Sequence, residues 1–195
     1  MRLQPESSRF AESRGTRRQE VYRFSHVEKF ADVIGVRYQI LPYIYSEYMK
    51  AALQNTMMFN PLAFLYGEDT LAGQVEDQLF LGNELMIAPI YKQNAQGRYV
   101  YLPEEMMLVR MHSSKDYTTE ILPKGHHYVS VGLDELVFFI RNQKAIPFAE
   151  SAENTAKTDY NTIQLLGYEG SSYELYADNG TSPNPEDSLT IKTLS

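Results

Sequence analysis

The chain has 195 residues, 43% of them apolar and 12% aromatic, with 18 basic and 25 acidic side chains and a formal charge of −7. That length holds one domain or parts of two or three smaller ones, and the acidic balance argues against a nucleic-acid binder, whose affinity rests on Lys and Arg neutralising phosphates. With no Cys there are no disulfides, thiolate metal sites or Cys nucleophiles, which fits the cytoplasmic location expected here.

Residues 1 to about 25 are polar and rich in Arg (Arg2, Arg9, Arg14, Arg17, Arg18), with no apolar stretch after Met1. They read as an arm rather than a secretory signal. The run Leu136-Val-Phe-Phe-Ile140 is far short of the ~20 residues of a membrane helix, so no membrane association is expected. Asn179-Gly-Thr181 is a formal glycosylation sequon, read here as coincidence.

From Val27 to Leu53, Val27, Phe30, Ile34, Tyr38, Leu41 and Tyr45 recur at three- and four-residue steps, predicting one long helix. Pro42 lies inside the pattern and predicts a kink or boundary near residues 36–41. The helix must end before Asn60-Pro61. Leu62-Ala-Phe-Leu-Tyr66, stopped by Gly67, reads as a short buried strand, and so does Leu85-Met-Ile-Ala-Pro-Ile90, with Pro89 at its end.

Beyond Gly97 the texture changes to short strands punctuated by turn residues. They are predicted at residues 98–102, 107–111, 117–122, 127–131, 137–141, 162–168, 172–177 and 189–193. Fifteen Tyr and regular spacing of this kind point to a sandwich or barrel. Tyr168-Glu-Gly-Ser-Ser-Tyr173 reads as a hairpin turn, and the polar residues 149–160 as a linker.

Candidates for chemistry are few. The chain has no Gly-rich phosphate loop and no Gly-x-Ser-x-Gly elbow. In a regular strand His126 and His127 point to opposite faces and cannot chelate one metal together. His26 and His112 read as ordinary strand or loop residues. Glycosidase chemistry needs two carboxyl groups facing each other, ~5–5.5 Å apart when configuration is retained. Of the acidic doublets, Glu68-Asp69, Glu104-Glu105 and Asp134-Glu135 flank turns or strand ends, where solvated acids are the default. Asp77, beside Glu76, precedes the apolar Leu79-Phe-Leu-Gly82 and reads as a cap on a short helical turn. No catalytic residue, metal or cofactor is expected.

Five segments, in order, do resemble a known family. Arg37-Tyr-Gln-Ile-Leu-Pro-Tyr-Ile-Tyr45, Glu76-Asp-Gln-Leu-Phe-Leu-Gly-Asn-Glu-Leu-Met-Ile-Ala-Pro89, Arg98-Tyr-Val-Tyr-Leu-Pro103, Val137-Phe-Phe-Ile-Arg-Asn-Gln-Lys-Ala-Ile-Pro147 and Ser171-Ser-Tyr-Glu-Leu-Tyr-Ala-Asp-Asn-Gly180 are similar to motifs of family-31 glycoside hydrolases, the α-glucosidase family. The resemblance covers roughly residues 15–180. It departs from the family at Asn142-Gln143, where Gly is preferred, and at Asn179.

The resemblance implies an α/β part followed by an all-β part. Residues 1–90 would be the C-terminal remnant of a (β/α)8 barrel, with Leu85–Ile90 a late barrel strand. Residues 91–150 would be a proximal β-sandwich, and 151–195 the first strands of a distal one. It implies that the nucleophilic and acid/base Asp of the family lie upstream and that no residue here inherits either role. One substrate-binding position falls inside: the family's F-R-x-H motif aligns with Ser8-Arg9-Phe10-Ala11. Arg9 matches, but Ala11 stands where the family's His hydrogen-bonds the sugar.

The reading is therefore the C-terminal segment of a retaining α-glycosidase that hydrolyses terminal α-linked glucosyl residues, inactive alone. Its expected partners are the α-glucoside or oligosaccharide substrate of the intact enzyme, the missing N-terminal part of the barrel, and a second copy of the chain. An incomplete barrel leaves strand edges and apolar faces exposed, and the last strand lacks obvious later partners, so poor stability or self-association is expected. Alternatives are a non-catalytic carbohydrate-binding or scaffolding module, with Tyr99, Tyr101, Tyr117 and Tyr128 either stacking sugars or packing between layers, and a degraded gene product.

Overall fold

The periodic stretch after Val27 is helical, in two pieces. In the computed structural model, which describes residues 27–132, 134–150 and 162–195, α1 (Val27–Gln39) and α2 (Leu41–Gln54) meet at Ile40. Pro42 lies in the first turn of α2, where its missing N–H and fixed φ cost nothing, so the expected break falls two residues before it. Asn55 closes α2 in the left-handed conformation (φ 55°), its N–H bonded to the Ala51 carbonyl. Arg9, Ala11 and most of the expected linker lie outside the described residues.

The strands that follow are β1 (Phe59–Pro61), β2 (Leu79–Leu81), β3 (Leu85–Ile87), β4 (Gly97–Leu102), β5 (Met106–Met111), β6 (Tyr117–Leu122) and β7 (Gly125–Ser130). Then come β8 (Leu136–Arg141), β9 (Ala145–Phe148), β10 (Gln164–Gly167), β11 (Tyr173–Ala177) and β12 (Thr190–Leu194). A six-stranded sheet runs β1-β2-β3-β8-β5-β6, and the pairs β4-β7, β9-β10 and β11-β12 make three two-stranded ladders. All pairings are antiparallel.

The large sheet is covered on both faces. Val109, Met111, Phe138 and Ile140 pack with Val36 and Tyr43 of the helices and with Ile146, Leu166, Tyr173 and Leu175. Leu108, Phe139, Phe80 and Met86 face the other way, against Val100, Leu102 and Val129 of the β4-β7 ladder. This explains why β8 reads as an unbroken apolar run: a strand buried on both faces has no polar alternation. Phe138, Phe139 and Ile140 are each nearly inaccessible, and burial of each stabilises the fold by about 1.5–3 kcal/mol.

Several expectations need correction. Leu62–Leu65 is one helical turn, α3, started at Pro61 and closed by the Tyr66 N–H on the Leu62 carbonyl; a short apolar run cannot by itself distinguish strand from buried helix. Leu79–Leu81 is strand, not a capped helical turn. Leu85–Ile87, expected as a late barrel strand, pairs antiparallel with both β2 and β8, so the sheet crosses the expected boundary at residue 90. The expected 162–168/172–177 hairpin does not form, because β10 pairs with β9 and β11 with β12. The last strand thus has a partner, with Tyr173 opposite Leu194. Strand β9 was hidden by Pro147, which sits in a two-stranded ladder that tolerates it. Gln143 has φ 55°, the left-handed geometry that explains the family's Gly in that turn.

Gly82, between β2 and β3, is the tightest point. Its φ is +66°, and a Cβ there would come within 2.2 Å of the Glu47 carboxylate. Gly82→Ala is expected to destabilise the fold by about 1–3 kcal/mol, whereas Gly73→Ala, facing open space, should be neutral or slightly stabilising. Urea midpoints of the two variants check this.

Candidate functional site

Two polar constellations stand out against the apolar layers. The first is a seam along α2, where Tyr43, Ser46, Glu47 and Lys50 recur at helical spacing on the face turned to the strands. Tyr43, fully buried, donates to the Leu81 carbonyl at 2.5 Å and accepts the amides of Glu84 and Leu85 at 3.3 Å each. Ser46 donates to the Pro42 carbonyl and accepts the Tyr176 amide at 3.0 Å. Tyr173 donates to Glu47 at 2.6 Å, and Lys50 completes the ion pair at 2.8 Å while its ammonium lies 3.9 Å from the centre of the Tyr173 ring. Tyr45 reaches Asp178 beyond them.

Glu47 is buried and Glu84 half-buried, and their charges are coupled. Tyr43 donates to Glu84, and Tyr173 and Lys50 both engage Glu47, so the seam's contacts tie helix to strands. Desolvation, then the charge of Glu47, raises the Glu84 carboxyl above its usual range. Burial and the Glu47 carboxylate raise the Tyr173 phenol well above its ordinary value. None of Glu47, Glu84 or Tyr173 stood out in the sequence by its chemistry. The available signal was Ser46-Glu47 falling within an otherwise apolar helix face.

The second constellation is a cleft of about 430 Å³ between residues 74–78 and the β4-β7 ladder. Arg98 Nη2 pairs with Asp77 at 2.6 Å, and Nη1 donates to the carbonyls of Asp77 and Pro89 at 3.1 and 2.8 Å. Asp77 therefore anchors an arginine rather than a helical turn, and Tyr91 approaches the same carboxylate oxygen at 3.3 Å. Gln78, buried, locks both backbone groups of Tyr101, donating to its carbonyl and accepting its amide at 2.8 Å each.

The β4-β7 register puts Tyr99 opposite Tyr128 and Tyr101 opposite His126, two ring pairs on one face with centroids 5.2 and 4.9 Å apart. Of the four tyrosines named as candidate platforms, Tyr101 is buried. Tyr99 and Tyr128 point outward, 71% and 56% exposed, and Tyr117 lies apart on β6 against Phe148. Packing between layers accounts for Tyr101 alone among the tyrosines of β4 and β7.

His126 and His127 do face opposite ways: His126 against Tyr101, and His127 Nε2 within 2.7 Å of the Pro123 carbonyl. His112 lies beside Glu135. Among the described residues no group of three or more His, Asp and Glu is placed to hold a metal. Asp69 is occupied by Lys124 at 2.6 Å and the Tyr101 hydroxyl at 2.7 Å, contacts that hold its carboxyl well below the usual range.

With this geometry in view, comparison with known proteins is decisive. Residues 55–146 match the family model described as the glycosyl hydrolase family 31 C-terminal domain. This chain carries the C-terminal domain of glycosyl hydrolase family 31. Among curated relatives, a probable alpha/beta-glucosidase of Arthroderma benhamiae is 28% identical over 85% of this chain and 20% of its own length. Alpha-glucosidase 2 of Bacillus thermoamyloliquefaciens is 30% identical over 85% of this chain and 21% of its own. The family-31 chain thus spans about a fifth of the length of these relatives.

The fold is shared with a dextranase of Flavobacterium johnsoniae, at TM-score 0.73 and 20% identity over 92% of this chain and 22% of that one. The β-rich architecture with few helices is that of the family's C-terminal sandwich. No helix among the described residues is long and apolar enough to cross a membrane.

Two outcomes test the seam. Tyr173→Phe strips a hydrogen bond from a buried charge and should cost about 1.5–3 kcal/mol, against almost nothing for Tyr48→Phe on the surface; denaturant unfolding measures both. Because the Glu84 pKa is raised in the folded state, its ionisation opposes folding as pH rises above the unfolded value near 4.5. Glu84→Gln should therefore melt above the wild type at pH 8, and the gap should close as the pH falls to 4.

Proposed function

We propose that this chain is the C-terminal segment of a retaining α-glycosidase of the α-glucosidase kind, in which α1 and α2 close the wall of a (β/α)8 barrel and the sandwich braces that wall. The observation that carries the reading is the family-31 C-terminal domain at residues 55–146, joined through the α2 seam to a helix pair that still exposes Phe30, Val33, Ile34 and Tyr48. Such a cluster is what a larger neighbour would cover. Two of the relatives it resembles are called alpha-glucosidase 2 and alpha-xylosidase.

In the intact enzyme an Asp carboxylate would attack the anomeric carbon as a second Asp protonates the departing oxygen. Water, deprotonated by that second residue, would then release the sugar with retained configuration. Both acids belong to the barrel upstream, so the segment's part is to position and not to react. The paired acids it does contain, Glu47 and Glu84, are consumed by the seam. Arg9, matched to the family's Arg beside the sugar site, would lie nearest to substrate. A second copy of the chain, meeting it through the exposed helix face, is the other partner this surface allows.

The test is a fusion. Joined behind the upstream four-fifths of the Bacillus thermoamyloliquefaciens enzyme, the segment should restore hydrolysis of a chromogenic α-glucoside that the upstream part alone lacks. A folded fusion without turnover would overturn the reading. So would turnover by the isolated chain that a mechanism-based inhibitor abolishes.

A further inference from the structure

We propose that the outer face of the β4-β7 ladder, together with the Asp77–Arg98 cleft beside it, is a binding site for a neutral oligosaccharide. The face presents Tyr99 and Tyr128 as a T-shaped pair, 69° between planes, in which the edge of one ring covers one side of the other and leaves its second side open. Tyr91, 67% exposed, stands at the rim on the other side of Asp77. Two tyrosines this exposed at one notch, with a third packed on one of them, are an unusual surface for residues that bury 150–250 Å² each when packed.

The chemistry between the rings narrows the ligand. Arg98 is immobilised by the Asp77 carboxylate and three backbone carbonyls, including that of Tyr99 at 3.1 Å. Asp77 spends Oδ2 on Arg98 and Tyr91 and leaves Oδ1 without a partner among the described residues, on a side chain 41% exposed. A fixed carboxylate acceptor beside aromatic faces suits a ligand with apolar C–H faces and many hydroxyl donors, which is a pyranose. It does not suit a polyanion, because Arg98 is already neutralised and the chain carries a formal charge of −7.

The cleft, about 430 Å³, falls within the ~300–1,000 Å³ of small-molecule sites. Tyr99 lines it, and the Tyr128 ring packs on Tyr99 with centroids 5.2 Å apart, so a further ring of the ligand could continue across this pair.

A protein surface is the competing occupant. The exposed apolar residues of the helix pair, Phe30, Val33, Ile34 and Tyr48, belong to elements that pack on the opposite face of the six-stranded sheet from the β4-β7 ladder. The β4-β7 face carries the Asp77–Arg98 ion pair beside its tyrosines, unlike an obligate interface core.

The experiment is NMR titration of the whole chain, isotope-labelled at Tyr, with maltohexaose. Saturable shifts should appear at Tyr91, Tyr99 and Tyr128 and not at Tyr117. Tyr99→Ala and Tyr128→Ala should each weaken binding about tenfold or more, with Tyr117→Ala (44% exposed on β6) unchanged and circular dichroism native throughout. No saturable binding by the folded chain would overturn the proposal, as would undiminished binding by a Tyr99→Ala/Tyr128→Ala double variant. Tighter binding of a sulfated oligosaccharide than of maltohexaose would overturn the neutral ligand. The site needs no turnover, so failure of the fusion enzyme would leave this result standing, and failure here would leave the fusion's activity untouched.

Discussion

Tyr43 sets one hydroxyl where three backbone groups of the β2–β3 turn converge, a carbonyl that needs a donor and two amides that need an acceptor. Left unpaired, each buried group would cost about 1–3 kcal/mol. The turn can close on the phenol only because Gly82 takes a left-handed φ and has no side chain, and the space a Cβ would fill holds the Glu47 carboxylate. Glu47 in turn receives Tyr173 from the strand pair at the far end of the chain. Helix, turn and C-terminal ladder are therefore one interlocked unit, and the position of each depends on the other two.

That interlock divides the molecule functionally. On one side of the six-stranded sheet, the seam turns Tyr43, Ser46 and Glu47 inward, while Tyr48 and Leu53 stay exposed on the outer face of α2. On the other, the β4-β7 ladder keeps its apolar residues, Val100, Leu102 and Val129, against the sheet and turns Tyr99 and Tyr128 out. The sheet can carry both because β5 and β8 bury side chains on each face, so neither coat has to shield the core alone.

The elements read most easily were those with strong periodicity or turn chemistry. The α1–α2 pair, β4 to β8 and β11 were placed within a residue or two, since helical spacing and Gly- or Pro-bounded runs are local signals. What escaped was tertiary. Leu62–Leu65 has no length in which a period could show, and β9 contains a proline that a central strand would forbid but a two-stranded ladder accepts. The pairing of β10 with β9 rather than β11 depends on Gly167, whose missing Cβ lets it approach Ala145 closely. Asp77 was recognised as a structural acid and given the wrong partner, because Arg98 lies across a turn and no spacing rule links them. Family motifs located the domain, but the cleft beside them came from register, which places Tyr99 and Tyr128 on the open side.

The hydrogen bonds that satisfy α2 join residues 126 and 130 positions apart. During synthesis at ~5–20 residues per second, Glu47 would wait roughly 6–25 s for Tyr173 to be made. Through that interval Ser46 has the Pro42 carbonyl and Glu47 has Lys50 within their own helix, together with water, in place of their partners across the fold. Strand β11, once made, is the latch that fixes α2.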